Sequence, residues 1–330
     1  MNWKNTRVVV TGAGGFIGSH LTEELIRQGA KVRALVRYNS RNNWGLLEKL
    51  DPEVLKRIEV VSGDITDPQC VDRLIAGRDY VFHLAALIAI PYSYQAAASY
   101  VAANISGTLN VLEACRRYKV RKLVHTSTSE TYGTARYVPI DEKHPLQGQS
   151  PYSATKIGAD HIAESYFRSF GLPVAIIRPF NTYGPRQSAR AVIPTVITQL
   201  LAGQPIIKLG STTPIRDFNY VADTVSGFLA IAASPKSAGE VINIGSGRGV
   251  SIADTISAIM RLTGRKAKIA QTRERLRPDR SEVMRLICDN RKARRLTGWH
   301  PKFSLEEGLV RTIDYISRHR SDYKAGIYNL

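Results

Sequence analysis

Short apolar runs rich in β-branched residues alternate with longer amphipathic stretches along the first half of the chain. The apolar runs read "RVVVTG", "KVRALVR", "RIEVVSGD", "DYVFHLAA", "KLVHTST" and "PVAIIRPF". The intervening stretches have helical periodicity, and the longest lie at about 93–118 and 150–170. Strands that alternate with helices are typical of a parallel sheet covered by helices on both faces. We therefore predict an α/β fold with a doubly wound, Rossmann-type parallel sheet.

The pattern changes after about residue 180, where Gly and Pro become frequent and the alternation of strands and helices ends. The helical stretch "YVADTVSGFLAIAAS" and the strand-like run "EVINIG" are expected to return to the main sheet. We predict a main domain of residues 1–180 plus about 221–250. Residues 181–220 and 251–330 are expected to form a smaller lobe, interleaved in sequence with that domain.

The composition is that of a globular protein, because 43% of the 330 residues are hydrophobic and can form a large core. No apolar run is long enough to span a bilayer as a helix, and the N-terminus shows no secretory signal. We therefore expect a cytoplasmic protein with no membrane partner. Cys70, Cys115 and Cys288 are far apart and lack CxxC spacing, so buried free thiols and no metal site are expected.

The chain is strongly basic, with 46 Lys and Arg residues against 28 Asp and Glu residues and a net charge of +18. Such an excess can serve nucleic acid, an acidic surface or an anionic small substrate. Much of the basic charge lies in 261–320, where it alternates with apolar residues as on solvated helix faces. We therefore expect no nucleic-acid partner and assign part of the charge to a phosphate-bearing ligand.

A glycine triad follows the first predicted strand. The segment "VVVTGAGGFIGSHL" places Gly12, Gly15 and Gly18 where the strand passes into the first helix. Glycine permits positive φ, close approach of the backbone to a pyrophosphate, and tight packing of the helix on its strand. A GxxGxxG triad at a strand–helix junction predicts a dinucleotide cofactor.

The end of the second predicted strand bears on the choice of cofactor. NAD-binding sheets usually have an acidic residue there, which binds the adenosine ribose. The sequence reads "RALVRYNSRNN", in which Arg37 and Arg41 stand without an acid. Both can engage a 2′-phosphate, so we predict NAD(P)+ with NADP+ favoured. The alternative interpretation is that both are solvated surface arginines.

The segment "SPYSATKIGADHIAESY" contains Tyr152 and Lys156 at i and i+4 in a helical pattern, which puts both side chains on one helix face. An ammonium group favours phenolate and so lowers the pKa of a neighbouring phenol. A phenolate can take the proton of a substrate hydroxyl while hydride leaves the same carbon. We therefore predict that Tyr152 and Lys156 are catalytic and contact the cofactor.

The glycine triad and the later Tyr-x-x-x-Lys pair, in this order, resemble the extended short-chain dehydrogenase/reductase family of nucleotide-sugar epimerases and dehydratases. Further similar segments are "GDITD", "HLAA", "RPFNTYGPRQ", "RDFNYVADT" and "RPDRSEV", so the resemblance covers nearly the whole chain. It implies a nucleotide-diphosphate sugar as substrate, which the smaller lobe would bind. It also implies a homodimer formed through the helices at about 93–118 and 150–170.

The same resemblance implies individual binding residues. Besides the glycine triad, the implied cofactor-binding residues are Phe16, Ile17, Asp64, Ile65, Leu84, Ala85 and Ala86. The implied substrate-binding residues are Asn181, Arg216 and Arg277.

The stretch "TSTSETYG" distinguishes reactions within the family. By resemblance, Thr128 hydrogen-bonds the sugar O4. Simple 4-epimerases generally carry small apolar residues at the next two positions, whereas this chain has Ser129 and Glu130. Glucose-type 4,6-dehydratases carry Asp-Glu there, and the GDP-mannose type carries Ser-Glu. The resemblance therefore implies a 4,6-dehydratase, with these three residues catalytic. Helix capping by Glu130 is the alternative.

The chemistry of a dehydratase requires a base at this place. Oxidation at C4 makes the C5 hydrogen acidic, so Glu130 can remove it while water leaves C6. Hydride then returns to C6, and the product is a 4-keto-6-deoxy sugar. The group that protonates the departing 6-hydroxyl stays open among Ser129, Glu130, Tyr152 and a water.

Two segments refine the expected substrate. "YNSRNNWGLLEKL" and "NTYGPRQSARAVIP" resemble dehydratases of the legionaminic-acid type, which act on a UDP- or GDP-N-acetylglucosamine. The alternatives are a UDP-glucuronate decarboxylase and a nucleotide-sugar 4-epimerase or 4-reductase. A non-catalytic, NADP-sensing regulator that binds nucleic acid is more remote, because that class typically loses the Tyr/Lys pair.

Overall fold

The computed structural model describes residues 1–272, 275 and 281–324. The strands are β1 (Arg7–Thr11), β2 (Lys31–Arg37), β3 (Glu59–Gly63), β4 (Tyr80–His83), β5 (Lys122–Thr126), β6 (Val174–Pro179), β7 (Asn181–Tyr183), β8 (Ile206–Leu209), β9 (Ile215–Tyr220), β10 (Val241–Ile244), β11 (Gly249–Ser251), β12 (Lys268–Gln271) and β13 (Arg285–Leu286). The helices are α1 (Phe16–Arg27), α2 (Pro52–Leu55), α3 (Pro68–Ile75), α4 (Ile90–Ser93), α5 (Ala97–Tyr100), α6 (Gly107–Arg117), α7 (Pro151–Phe170), α8 (Val192–Leu201), α9 (Val221–Ala233), α10 (Ile252–Thr263), α11 (Arg291–Thr297) and α12 (Leu305–Arg318).

The largest sheet has seven strands in the order β10-β6-β5-β4-β1-β2-β3, and every neighbouring pair is parallel. Successive residues of β1 point to opposite faces, as the period of a strand requires. Val8 and Val10 join a core cluster that includes Leu25 of α1 and Phe228 of α9, whereas Val9 joins a cluster with α3 and α6 side chains. Both faces are therefore buried by helices, and the prediction of a doubly wound parallel sheet is confirmed.

The remaining strands form two smaller sheets. One has the order β11-β9-β13, with β7 also paired to β9, and the other consists of β12 and β8. Strand β10 pairs with β6 at the edge of the large sheet, as expected for the run "EVINIG". The boundaries near residues 180, 220 and 250 stay a prediction.

The two long helical stretches differ in the structure. Helix α7 is continuous over the predicted range, with a capping box formed by Ser150 and Ser153. The stretch 93–118 is instead divided into α4, α5, a π-helical turn at Val101–Ser106 and α6. The π turn contains buried Asn104, whose amide donates to Leu87 O at 3.0 Å and Thr155 Oγ1 at 3.0 Å. The π-helical turn is wider than an α-helical turn and accommodates these two hydrogen bonds to other segments.

The prediction of buried free thiols is confirmed for Cys70, Cys115 and Cys288. Over residues 1–272, 275 and 281–324, no helix combines the length and apolarity that crossing a bilayer requires.

Candidate active site

A cavity of about 920 Å³ lies where the parallel strands of the large sheet end. Its lining comes from the segments that follow β1 to β6, which include Gly12–Gly18, Gly63–Thr66, Leu84–Ala86, Thr126–Glu130 and Pro179–Thr182. Open α/β sheets bind ligands in the crevice outside the carboxyl ends of their strands. The cavity therefore brings most of the predicted site residues together.

The glycine loop is shaped by backbone contacts that exclude side chains. Gly12 has φ +68°, and a Cβ there would lie 2.7 Å from Ala85 N. A Cβ on Gly18 would lie 2.2 Å from Gly12 O, so α1 can approach its strand only with glycine here. Gly15, Phe16 and Gly18 line the cavity at the start of α1. This cradle of backbone at a helix N-terminus suits a pyrophosphate.

Thr11 fixes the position of the predicted "HLAA" segment beside this loop. Its Oγ1 accepts hydrogen bonds from Leu84 N and Ala85 N, each at 3.1 Å, and lies 2.8 Å from His83 Nδ1. Leu84, Ala85 and Ala86 line the cavity as expected. Thr11 is not among the site residues predicted from the sequence. Its place directly before Gly12, at the end of a buried strand, is the signal that was available.

The predicted cofactor arginines differ in position. Arg37 lines the cavity, and its Nε lies 3.8 Å from Asp64 Oδ2. Asp64 and Ile65 line the same end of the cavity. Arg41 is exposed and lies outside the lining, with its backbone N–H donating to Asn39 Oδ1 at 3.1 Å. Only Arg37 therefore lies where a ligand in the cavity can reach it directly.

The segment after β2, which the resemblance connects with the substrate, also covers the glycine loop. Leu46 N donates to Gly14 O at 2.9 Å, and a Cβ on Gly45 would lie 2.6 Å from that same oxygen. Gly45 has φ +67°, and Asn43 and Trp44 line the cavity beside it. The available signal was the "NNWG" sequence soon after β2.

Tyr152 and Lys156 are one turn apart on α7, and both are buried. Tyr152 lines the cavity, and its phenol is hydrogen-bonded by the Thr128 side chain. Burial raises the pKa of Tyr152, although the Thr128 hydrogen bond lowers it. Burial also lowers the pKa of Lys156 to about 8. The predicted net lowering of the Tyr152 pKa is therefore wrong, because burial of the phenol has a larger effect than the hydrogen bond that lowers the pKa.

Glu130 lies in a short 3₁₀ turn, Ser129–Tyr132, that follows β5. The Thr128 side chain caps this turn by accepting a hydrogen bond from Glu130 N at 3.2 Å. Thr128, Ser129 and Glu130 all line the cavity. The Glu130 charge raises the pKa of Tyr152, so the two residues are close enough to interact, and both line the cavity. The cap of the turn thus comes from Thr128, and the Glu130 side chain faces the cavity.

Tyr132 anchors the same turn from the protein interior. Its phenol donates to Asn243 Oδ1 at 2.7 Å and accepts from Arg178 Nη1 at 3.1 Å. These partners belong to β10 and β6, so the turn that carries Glu130 is tied to two strands of the large sheet.

The predicted substrate residues are not all brought together. Asn181 lines the cavity, and its buried Oδ1 has no hydrogen-bond partner among the described residues, as expected for an atom directed at a ligand. Arg216 is buried on β9 outside the lining, where its Nη2 donates to Glu282 Oε1 at 3.1 Å. Arg277 lies outside the described residues. The substrate roles of these three residues stay predictions.

Comparison with known proteins gives matches over most of the chain. The family described as GDP-mannose 4,6 dehydratase matches residues 9–312. A dTDP-glucose 4,6-dehydratase from Actinoplanes sp. is 32% identical over 321 residues, covering 96% of this chain and 99% of that protein. A UDP-glucuronate 4-epimerase from Thermodesulfobacterium geofontis is 35% identical over 317 residues, covering 93% and 95%.

A solved structure has the same fold along its full length. The dTDP-glucose 4,6-dehydratase DesIV from Streptomyces venezuelae, a double mutant with NAD bound, superimposes with a TM-score of 0.87 and 29% sequence identity. The match covers 96% of this chain and 99% of that one. With the glycine cradle and the Tyr152–Lys156 pair, these matches identify the chain as an enzyme of the extended short-chain dehydrogenase/reductase family of nucleotide-sugar epimerases and dehydratases.

Proposed function

We propose that this protein is a nucleotide-sugar 4,6-dehydratase that converts UDP- or GDP-N-acetylglucosamine to the 4-keto-6-deoxy sugar. The observation that carries the proposal is the position of Glu130, whose carboxylate faces the cavity close enough to Tyr152 to raise the pKa of the phenol. Elimination of water needs a base for the C5 proton, whereas 4-epimerisation leaves that proton in place. A carboxylate beside the phenol therefore favours elimination.

The glycine loop, Asp64 and the segment Leu84–Ala86 would hold an NAD(P)+ cofactor along the cavity. When bound, this cofactor would supply the hydride acceptor that oxidation at C4 needs and the hydride donor that reduction at C6 needs. Tyr152 takes the proton of the 4-hydroxyl, and Lys156 stabilises the phenolate. Thr128 holds the Tyr152 oxygen by a hydrogen bond.

Glu130 acts in the second step as general base toward C5, because the neighbouring 4-ketone makes that proton acidic. Ser129 is buried directly before it. The departing 6-hydroxyl takes its proton from Ser129, from the newly protonated Glu130, from Tyr152 or from a water.

The proposed N-acetylglucosamine substrate is supported by two segments that resemble dehydratases of the legionaminic-acid type. Both contribute to the cavity, the first through Asn39, Asn43 and Trp44 and the second through Asn181 and Gln187. We also propose a homodimer formed through the helical stretch 93–118 and α7. Exposed apolar side chains around these helices, Val101, Leu109 and Phe170, support it.

The proposal is tested by mass spectrometry after incubation with UDP- and GDP-N-acetylglucosamine and, as controls, UDP-glucose and UDP-glucuronate. Loss of one water from an N-acetylglucosamine nucleotide, with a ketone that absorbs in alkali, is the expected result. Release of carbon dioxide from UDP-glucuronate would identify a decarboxylase instead. A product of unchanged mass would favour epimerisation, which the 35% identity to a UDP-glucuronate 4-epimerase makes the second candidate.

Arg37→Ala tests the proposed preference for NADP+. We expect weaker NADP+ binding by roughly 10- to 100-fold, with NAD+ binding nearly unchanged, because the variant loses a charged hydrogen bond to the 2′-phosphate. Arg41→Ala should have a smaller effect, since Arg41 lies outside the cavity lining. Titration of both cofactors by calorimetry measures these changes, with exposed Arg27→Ala as control. Equal effects on both cofactors would contradict the assignment.

A further inference from the structure

Helix α7 carries a third ionisable side chain on the face that holds the catalytic pair. Tyr152, Lys156 and Asp160 follow one another at intervals of four residues and therefore lie on one side of the helix. All three are buried, with 8%, 4% and 1% of their surface exposed. A buried carboxylate is costly unless it is paired, so its presence needs an explanation.

The two oxygens of Asp160 differ in their surroundings. Oδ2 accepts hydrogen bonds from Ser127 Oγ at 2.6 Å and from Arg178 Nη2 at 2.9 Å. Oδ1 lies 3.3 Å from His125 Nε2 and makes no hydrogen bond within the described part of the chain. Arg178 and Ser127 thus fix the carboxylate firmly by one oxygen.

The groups around Lys156 come from several elements. Strands β4, β5 and β6 contribute His83, His125 and Arg178, respectively. Helix α7 itself contributes Tyr152 and Asp160. Glu130 acts on Tyr152 from the cavity side. Burial lowers the pKa of both histidines, so both are neutral near pH 7.

The balance of charges at Lys156 depends on Asp160. Burial lowers the pKa of the Lys156 amine to about 8, and Asp160 is the group that opposes this effect. Without that carboxylate, the amine would lose its proton at a lower pH. A neutral amine does not stabilise a phenolate, so the Tyr152–Lys156 pair would then fail near neutral pH.

We propose that Asp160 is a positioning residue that keeps the Lys156 side chain charged beside Tyr152, with Arg178 and Ser127 holding Asp160 in place. The proposal rests on the proposed role of the Tyr152–Lys156 pair. It applies equally to a dehydratase and to an epimerase, because both reactions begin with oxidation at C4.

Direct titration of Lys156 tests the proposal without substrate. In protein labelled with ¹³C at the lysine Cε, the Lys156 signal is identified by its loss in Lys156→Arg and followed by NMR against pH. The wild-type midpoint is expected near 8. Asp160→Asn should lower it by about one pH unit or more, as expected when a buried opposite charge one helix turn away is removed. An unchanged midpoint would overturn the proposal.

Further variants keep the test decisive. Asp223→Asn changes another buried carboxylate, one that accepts from Lys302 N and Phe303 N, and should leave the Lys156 midpoint unchanged. Asp160→Glu keeps the negative charge, so its Lys156 midpoint should lie close to the wild-type value. If Asp160→Asn does not fold because Arg178 is left unpaired, the double variant Asp160→Leu/Arg178→Met removes both charges. Because losing the Arg178 charge acts on Lys156 in the opposite direction, the double variant is compared with Arg178→Met alone. The double variant should have the lower Lys156 midpoint of the two, and equal midpoints would contradict the proposal.

A second readout links the titration to the reaction. With a nucleotide-sugar that wild-type protein oxidises, Asp160→Asn should shift the basic limb of the pH–rate profile for cofactor reduction to lower pH, in step with Lys156. A matching NMR shift in a protein that oxidises no nucleotide-sugar would support the role of Asp160 and contradict the proposed function. Loss of rate at every pH with an unmoved limb would indicate only a structural role for Asp160.

Discussion

Glu130→Gln is expected to oxidise its substrate at C4 and then stop, with elimination slowed by at least about 10²-fold. The amide fills the same space in the cavity but cannot accept the C5 proton. Cofactor and substrate binding should persist, because the glycine loop and Asn181 lie on other parts of the lining. Oxidation itself should not suffer, since the carboxylate raises the pKa of Tyr152 and its loss makes the phenol easier to ionise.

Stopped-flow absorbance measures this prediction, because reduced cofactor should accumulate in the variant and only transiently in the wild type. Exchange of the C5 hydrogen with deuterated water should be lost in parallel. Glu306→Gln is a matched control, since Glu306 is exposed and pairs with Arg261 outside the cavity lining. Turnover at the wild-type rate in Glu130→Gln would eliminate the proposed mechanism. Loss of oxidation together with elimination would instead assign Glu130 to substrate binding.

Tyr152→Phe is expected to abolish the first step, with a loss of about 10²- to 10⁴-fold in cofactor reduction. The variant keeps the ring, which packs edge-on against Tyr100 with centroids 6.3 Å apart, and removes the oxygen that accepts the substrate proton. Because the ring stays in place, the free energy of unfolding should change little. The loss should therefore appear in the chemical step and not in the amount of folded protein.

Single-turnover absorbance of the reduced cofactor measures this effect. Tyr100→Phe is the matched control, since it removes the same atom from the neighbouring ring, whose hydroxyl donates to Ala89 O at 2.5 Å. That variant should keep rapid cofactor reduction. Normal transient reduction in Tyr152→Phe would contradict the role given to the phenol, and the proton would then need another acceptor.

Much of the fold could be predicted from local patterns. Each short run rich in β-branched residues marks a strand. Because successive side chains of a strand point to opposite faces, the consecutive apolar residues Val8, Val9 and Val10 indicate that both faces are buried. Two members of the glycine triad were equally predictable, because Gly12 has a positive φ and a Cβ on either Gly12 or Gly18 would lie less than 3 Å from backbone atoms.

The rest depends on contacts between distant segments. Sequence spacing does not predict which distant residues form hydrogen bonds with one another. Examples are the hydrogen bonds from Leu46 to Gly14, from Tyr132 to Asn243 and from Arg216 to Glu282. The direction of the Tyr152 pKa shift was missed for the same reason. The i, i+4 spacing shows that the Lys156 ammonium group is on the same helix face as Tyr152. The burial that raises the Tyr152 pKa depends on how the whole core packs around the phenol.

Strand β10 has a consequence for anyone who wishes to build chimaeras from this enzyme. It extends the large sheet beyond β6, and Asn243 on it holds the phenol of Tyr132. A fragment cut after residue 180 would leave the edge of β6 unpaired, and such edges promote aggregation. The C-terminal half therefore cannot be exchanged as one contiguous segment without removing a strand of the large sheet. A graft has to be made in two pieces that leave Val241–Ile244 with its original host.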